Sequence, residues 1–309
     1  MKNKIYTNMI FVSAVALLCC ALWGSATPFI KWGYELMLPA KDIPSTILFA
    51  GIRFTFAGIL TVLIFSIAGR KFIFPKSTSW SKISVVGLFQ TVIQYLFFYI
   101  GLANTSGVKG TIISGSNAFF CILVASLIFR QEKLTIKKII ACIMGFMGII
   151  LINLDGLELK MNLIGDGFVL FSNLAYGISS TLMKRFSNDE DPVVISGYQF
   201  IMGGLFMVIV GLVLGGNITL NSMKAVGVLT YLSFLSAIAY SLWGILLKHN
   251  PVSRVTVFSF MTPVFGVILS KIMLTESSNV TPVNLIITII LVCAGIFLLN
   301  FNPAKKEGK

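Results

Sequence analysis

Leu22-Trp23-Gly24-Ser25-Ala26-Thr27-Pro28-Phe29-Ile30-Lys31 returns in the second half of the chain as Ala175-Tyr176-Gly177-Ile178-Ser179-Ser180-Thr181-Leu182-Met183-Lys184. Other pairs keep the same order. Gly51-Ile52-Arg53 with Gly58 answers to Gly197-Tyr198-Gln199 with Gly204, and Gly148-Ile149-Ile150-Leu151-Ile152-Asn153 to Gly295-Ile296-Phe297-Leu298-Leu299-Asn300. The spacing drifts only where loops can absorb it. These pairs divide the chain into two related halves, 1–155 and 156–309.

The 309 residues are 56% hydrophobic and 11% charged, with a mean hydropathy of +0.92, whereas soluble domains carry about 25% charge. Such a composition belongs in a bilayer. Apolar runs of the length that spans a hydrocarbon core are predicted near 8–30, 44–68, 83–102, 108–129, 136–154, 163–183, 192–214, 225–247, 254–274 and 282–301. That gives ten spans, five per half, joined by short loops. Pro44, Pro192 and Pro282 fall at span starts, where a missing amide donor is harmless. The basic, apolar N-terminus resembles a signal peptide, but cleavage near Ala26 would remove the counterpart of the Tyr176 helix, so it reads as a retained first span.

A net charge of +13 suggests nucleic acid until its placement is followed. Seventeen of the 24 Lys and Arg lie on the side of the N-terminus, six on the other, and Arg53 within a span. This is the positive-inside distribution, which places both termini in the cytoplasm of a cytoplasmic-membrane protein and leaves no nucleic-acid partner. Cys19, Cys20, Cys121, Cys142 and Cys293 all fall in spans and read as small apolar residues, not as a disulfide framework.

Five spans is an odd number, so the second copy enters the membrane from the opposite side. The loops agree: Arg70, Lys71, Lys76 and Lys82 separate spans two and three, while the equivalent stretch 215–224 holds only Lys224. The expected fold is therefore an all-α polytopic membrane protein, ten transmembrane helices arranged as two inverted five-helix repeats. A site near the midplane between halves follows, as in secondary carriers.

Several residues carry a resemblance: the Trp-Gly-x-x-x-Pro stretch from Trp23, Ile52-Arg53-Phe54, and the span endings Phe129-Arg130-Gln131-Glu132 and Met273-Leu274-Thr275-Glu276. With the paired halves, they make the whole chain similar to the EamA-type branch of the drug/metabolite transporter superfamily. The resemblance implies a carrier whose central cavity is lined by spans one to four and six to nine, with five and ten peripheral. It favours export of amino-acid-like or other small metabolites, and leaves a lipid or amphiphile flippase on the same fold as the alternative. An enzyme would need a nucleophile with a base, a metal cluster or paired acids. The spans offer none, and no cofactor or metal is expected.

Arg53 is the most consequential side chain. A cation within a span costs at least about 2.5 kcal/mol and must face protein or water. Two readings stand: an anchor for a substrate carboxylate or phosphate, or a permanent bond to helix carbonyls or to a rim acid such as Glu35, Asp42 or Asp166. Its repeat counterpart is the neutral Gln199. No Asp or Glu occupies mid-span, so a cationic substrate and a carboxylate proton relay are poor expectations, and a zwitterionic, anionic or neutral polar metabolite fits better. The coupling ion, if any, is not legible; His249, the one histidine, sits at a span end.

Polar and aromatic residues near mid-depth complete the candidate substrate site: Trp23, Arg53, Gln90, Gln94, Tyr95, Tyr99, Asn117, Asn173, Tyr176, Tyr198, Gln199, Tyr240 and Trp243. At about 100° per residue, Gln90 and Gln94 share a face. Trp23 and Tyr176 are counterparts, as are Tyr95 and Tyr240, so mirrored walls are expected. Pro28 and Pro263 lie inside spans one and nine as candidate hinges, and the position of Pro263 is Phe119 in the first copy. Lys31 and Lys184 are expected just beyond spans one and six.

Overall fold

The computed structural model describes residues 2–40, 42–105, 107–152, 162–273 and 282–300. The boundary between halves at 155/156 and the Leu274-Thr275-Glu276 ending lie outside them. The regular structure of the described residues is all helical, a short Lys2–Ile5 turn followed by ten rods: α1 Met9–Met37, α2 Ile43–Ala68, α3 Ser77–Ala103, α4 107–128, α5 Ile136–Ile152, α6 163–186, α7 Pro192–Val213, α8 Met223–His249, α9 252–273 and α10 Pro282–Asn300.

Helix starts follow local chemistry. Asn8 accepts from the amides of Ile10 and Phe11 at the head of α1, Asp42 from Ser45 ahead of α2, Asp191 from Val193 ahead of α7 and Ser222 from Ala225 ahead of α8, each satisfying an amide that the helix cannot. Pro44 and Pro192 sit within the first two positions of α2 and α7, as expected. The first rod exceeds its expected end by seven residues, to Met37. Lys31 and Lys184 thus lie inside α1 and α6 instead of beyond them: a long cationic side chain can leave the apolar layer without ending the helix.

Seven of the rods are long and apolar enough by themselves to cross a bilayer. The remaining three are α4, interrupted at Ser116, the 17-residue α5, and α6. Ser172, Asn173, Ser179, Ser180 and Thr181 make α6 polar, and all five are buried. A helix enclosed by protein needs no apolar coat. Large apolar side chains elsewhere face outward, among them Ile10, Leu18, Ile67, Ile143, Ile209, Val213, Ile290 and Phe297. So wide an exposed apolar surface is untenable in water and is what lipid contact requires.

The packing has a regular pattern. α2 lies along α7 and α5 along α10; α1 packs on α8 and α9, α6 on α3 and α4; α2 meets α8, and α7 meets α3. Adding or subtracting five from both helix numbers turns the α2–α7 and α5–α10 contacts into themselves and each of the others into another of the set. The α2 and α7 backbones meet through glycines: a Cβ on Gly51 would stand 2.6 Å from the Val208 amide and 2.9 Å from the Gly204 carbonyl, and one on Gly58 would stand 2.5 Å from the Gly197 carbonyl. Residue numbers fall along α7 as they rise along α2, so the pair is antiparallel. The same correspondence governs finer contacts, Gly24 against Phe265 and Gly266 answering to Gly177 against Phe120 and Cys121. These glycines are close-approach positions of the kind that membrane helices use to pack.

Candidate functional site

The helix pairing brings four aromatic rings to the middle of the molecule. Tyr95 and Tyr240 share a hydrogen bond between their hydroxyls, 2.8 Å, and Phe54 stacks on Phe200 at 5.2 Å and 13°. Each pair consists of repeat counterparts. Phe54 also packs on Tyr95 at 4.4 Å and Phe200 on Tyr240 at 4.9 Å, closing a ring of four. Trp23 leans on Tyr240 at 5.1 Å and on Trp243 at 4.9 Å, while its counterpart Tyr176, buried in α6, lies within range of both Tyr95 and Tyr240.

Arg53 stands beside this ring, 3% exposed. Its Nη2 donates to Ser236 Oγ at 3.0 Å, its guanidinium lies 5.0 Å from the Phe54 ring, and the hydroxyls of Tyr34 and Tyr99 are within interaction range. Its Nε is buried with no protein acceptor. The rim acids are engaged elsewhere or exposed: Asp42 caps α2, Asp166 accepts from the Thr105 hydroxyl and the Asn162 amide, and Glu35 is exposed. Among the described residues Arg53 therefore has no carboxylate partner, and neutral hydroxyls and rings surround a buried cation.

Other buried polar atoms, donors and acceptors both, also lack partners among the described residues. The indole Nε1 of Trp23 and of Trp243 are buried without acceptors, and Gln90 Oε1, Gln94 Oε1 and Gln199 Nε2 are buried without partners. Leu88–Ile93 is wound as a π-helix, which replaces the regular spacing expected between Gln90 and Gln94. Such wide turns collect at functional sites.

Not every expected residue joins the centre. Tyr198 donates to the Ile73 carbonyl at 3.1 Å and packs on Phe74 and Trp80, holding the α2–α3 loop at one rim. Asn173 donates to the Ile113 carbonyl at 2.6 Å and to Ser116 Oγ at 3.1 Å, fastening the break in α4 to α6. Asn117 Oδ1 accepts from Ser259 Oγ at 2.8 Å, joining α4 to α9 where Val257–Phe260 narrows to a 3-10 turn. Pro263 frees the Ser259 carbonyl there, and Pro28 frees that of Gly24 at the α1–α9 contact. Ser236, Tyr34, Phe54, Phe200 and Thr91 were not anticipated. Thr91 and Ser236 each lie four residues before the paired tyrosines, and Phe54 and Phe200 directly follow Arg53 and Gln199, so the repeat itself was the signal.

The two faces differ. On the N-terminal face, Glu132 accepts from the Ser253 amide at 3.0 Å, from its hydroxyl, and from Lys138 at 2.7 Å, capping α9 from the α4–α5 loop. Lys184 donates to the carbonyls of Leu247, 3.1 Å, and Asn250. The Lys76 amide donates to Glu190 at 2.9 Å, and Lys82 pairs with Asp189. Burial follows: of Ala239 to Leu247 all but Leu242 and Ile245 are buried, whereas in the counterpart stretch from Gln94 to Leu102 only Tyr99 and Gly101 are. Ala175–Met183 and Leu22–Ile30 differ in the same sense.

The profile of the EamA-like transporter family matches residues 10–154 and again 163–301. This chain belongs to the EamA-like transporter family. It is a multi-pass membrane transporter of the drug/metabolite transporter superfamily. Among its relatives, an uncharacterized transporter of Archaeoglobus fulgidus is 26% identical over 85% of this chain and 90% of its own. A WAT1-related protein of Arabidopsis thaliana, described as chloroplastic, is 25% identical over 89% of this chain and 68% of its own, and an uncharacterized transporter of Synechocystis 27% identical over 81% of each. One solved crystal structure shares the fold, with a TM-score of 0.76, 15% identity, and coverage of 94% of this chain and 96% of that one.

Proposed function

We propose that this EamA-family member is a secondary carrier for a small polar metabolite bearing an anionic group, amino-acid-like or a simple organic acid, and that it works by alternating access between two inverted five-helix halves. The observation that carries the reading is Arg53: a cation buried beside the central aromatic ring without an acid among the described residues to neutralise it. Leaving such a charge uncompensated is costly in a bilayer, and a guanidinium with a free Nε–H suits a planar oxyanion. The donor-only indoles of Trp23 and Trp243 add hydrogen bonds for the same acceptor, and the rings give its apolar body a surface.

The antiparallel glycine crossing of α2 and α7 and the exchange symmetry of the packing support a pseudo-two-fold axis running through the Tyr95–Tyr240 and Phe54–Phe200 pairs. Helices that span the membrane put that axis in the membrane plane. The unequal burial of counterpart segments is the asymmetry a rocking carrier has when one face is shut. In this state that face is the N-terminal one. The lysine and arginine distribution supports a cytoplasmic position for it and for both termini, in the cytoplasmic membrane. Pro28 and Pro263 loosen α1 and α9 where they cross and serve as hinges; export is the direction the family resemblance favours.

The test is a thermal-shift screen of the purified protein against small acids, amino acids and amines, since a ligand stabilises the state it binds. Acids or zwitterions are expected to raise the melting temperature of the wild type and to lose that effect in Arg53→Gln, with the unliganded melting temperature little changed. Stabilisation that survives Arg53→Gln, or a preference for amines, would overturn the reading.

A further inference from the structure

Arg53 has a neutral double on the far side of the central tyrosines. Arg53 Nη2 donates to Ser236 Oγ, joining α2 to α8, and Thr91 Oγ1 donates to Gln199 Oε1 at 2.6 Å, joining α3 to α7. Gln199 is the counterpart of Arg53, and Thr91 that of Ser236. The two bonds are thus one contact made twice, each time from one half to the other, with the Tyr95–Tyr240 and Phe54–Phe200 pairs between them. Ser236, Thr91 and Gln199 are fully buried and Arg53 nearly so. In each copy one donor is left without a protein acceptor: Arg53 Nε and Gln199 Nε2.

An unmatched buried donor costs free energy that structures rarely leave unrecovered. Two of them, at equivalent positions on either side of one axis, ask for the same kind of acceptor. We propose that Gln199 and Thr91 form a second station for the substrate's anionic group, the neutral mirror of the Arg53–Ser236 station, reached when the N-terminal face opens. The inference rests on the carrier reading above. The Arg53 guanidinium adds a charge–charge attraction to an oxyanion that the neutral Gln199 amide lacks, so the two stations hold the same group unequally. The solute half-saturates the carrier at lower concentration from the Arg53 side. Equilibrium linkage forbids this inequality from driving net transport in an uncoupled carrier; the tighter side is then also the slower to release.

A substrate is not needed to test it. In a variant whose five cysteines are replaced, Ser236→Cys and Thr91→Cys report each station in turn. The probes are an anionic and a cationic methanethiosulfonate, sulfonatoethyl and trimethylammonioethyl, applied to detergent-solubilised protein so that both faces are reachable. The expected ratio of anionic to cationic reaction rate is roughly tenfold higher at Ser236→Cys than at Thr91→Cys, within the range of a unit charge's field at a few ångströms. In the exchange variant Arg53→Gln with Gln199→Arg, the preference should move to Thr91→Cys. Should that variant fail to fold, Arg53→Gln alone is expected to bring the Ser236→Cys ratio down to that of Thr91→Cys. Reaction at both positions with a ratio indifferent to these changes would overturn the two-station inference and leave the carrier reading standing. Absence of reaction at both positions would mean that no aqueous path reaches the centre, and would overturn both.

Discussion

Glu132 shows what a single buried carboxylate does at the edge of the bilayer. Burial pushes its carboxyl up, but the Lys138 ammonium and the Ser253 amide and hydroxyl outweigh that and hold it below the usual carboxylate range, with Lys138 adding a charge contribution; Lys184 is the other cation that senses it. A carboxyl whose pKa is lowered on folding contributes stability that is complete above its ordinary value and is lost as pH falls through the lowered one. The wild-type melting temperature is therefore expected to fall as pH drops through the carboxylate range, and Glu132→Gln, which cannot titrate there, to lose part of that fall. An identical acid dependence in both proteins would show that the ionised Glu132 cap does not stabilise the fold. Arg53 was legible in the sequence as a residue needing explanation, because an arginine in an apolar run has few tolerable environments. What it touches was not: Ser236 is 183 positions away, and small hydroxyl residues are too common in membrane helices to stand out. Tyr198 looked like the other mid-depth tyrosines, yet a carbonyl in the α2–α3 loop holds it at the rim.

Among the elements, α2 and α7 fix the relation between halves. Their glycines were visible as repeated Gly-x6-Gly pairs, but only the folded chain shows that the pairs face each other. A methyl group at Gly51 or Gly204 meets backbone atoms at 2.5 to 2.9 Å, and backbone cannot turn aside as a side chain can. Gly51→Ala and Gly204→Ala are each expected to destabilise the protein by about 1–3 kcal/mol, the usual cost of overpacking. Gly227 in α8 has nothing within 4 Å of its Cβ position. Gly227→Ala should be neutral or stabilising by up to about 1 kcal/mol, through helix propensity alone. Melting curves in one detergent compare the three variants, and equal effects at Gly51 and Gly227 would contradict the close crossing. Helix positions came from hydropathy because apolar length is what a bilayer demands; the extra turns of α1 and the π-helix in α3 did not, since they depend on packing partners. α6 was predicted despite its polar residues because it repeats α1.

At the scale of the whole molecule, ten helices enclose an aromatic centre that has, among the described residues, a charge on one side only. The all-helical fold and the ten rods were legible from composition, span length and repetition. The ties across the N-terminal face were not, because they join loops far apart in sequence, Glu132 to Ser253 and Lys76 to Glu190. The inverted arrangement is the premise on which the alternating site, the mirrored stations and the shut face all depend. It is tested most directly by labelling from each side of intact cells with a membrane-impermeant maleimide, using cysteine-free protein carrying either Lys71→Cys or Lys224→Cys. Both positions are exposed, Lys71 in the α2–α3 loop and Lys224 at the start of α8, directly after the equivalent α7–α8 loop. The expected result is that Lys224→Cys is labelled from outside and Lys71→Cys only after the cells are opened; labelling of both from the same side would contradict it.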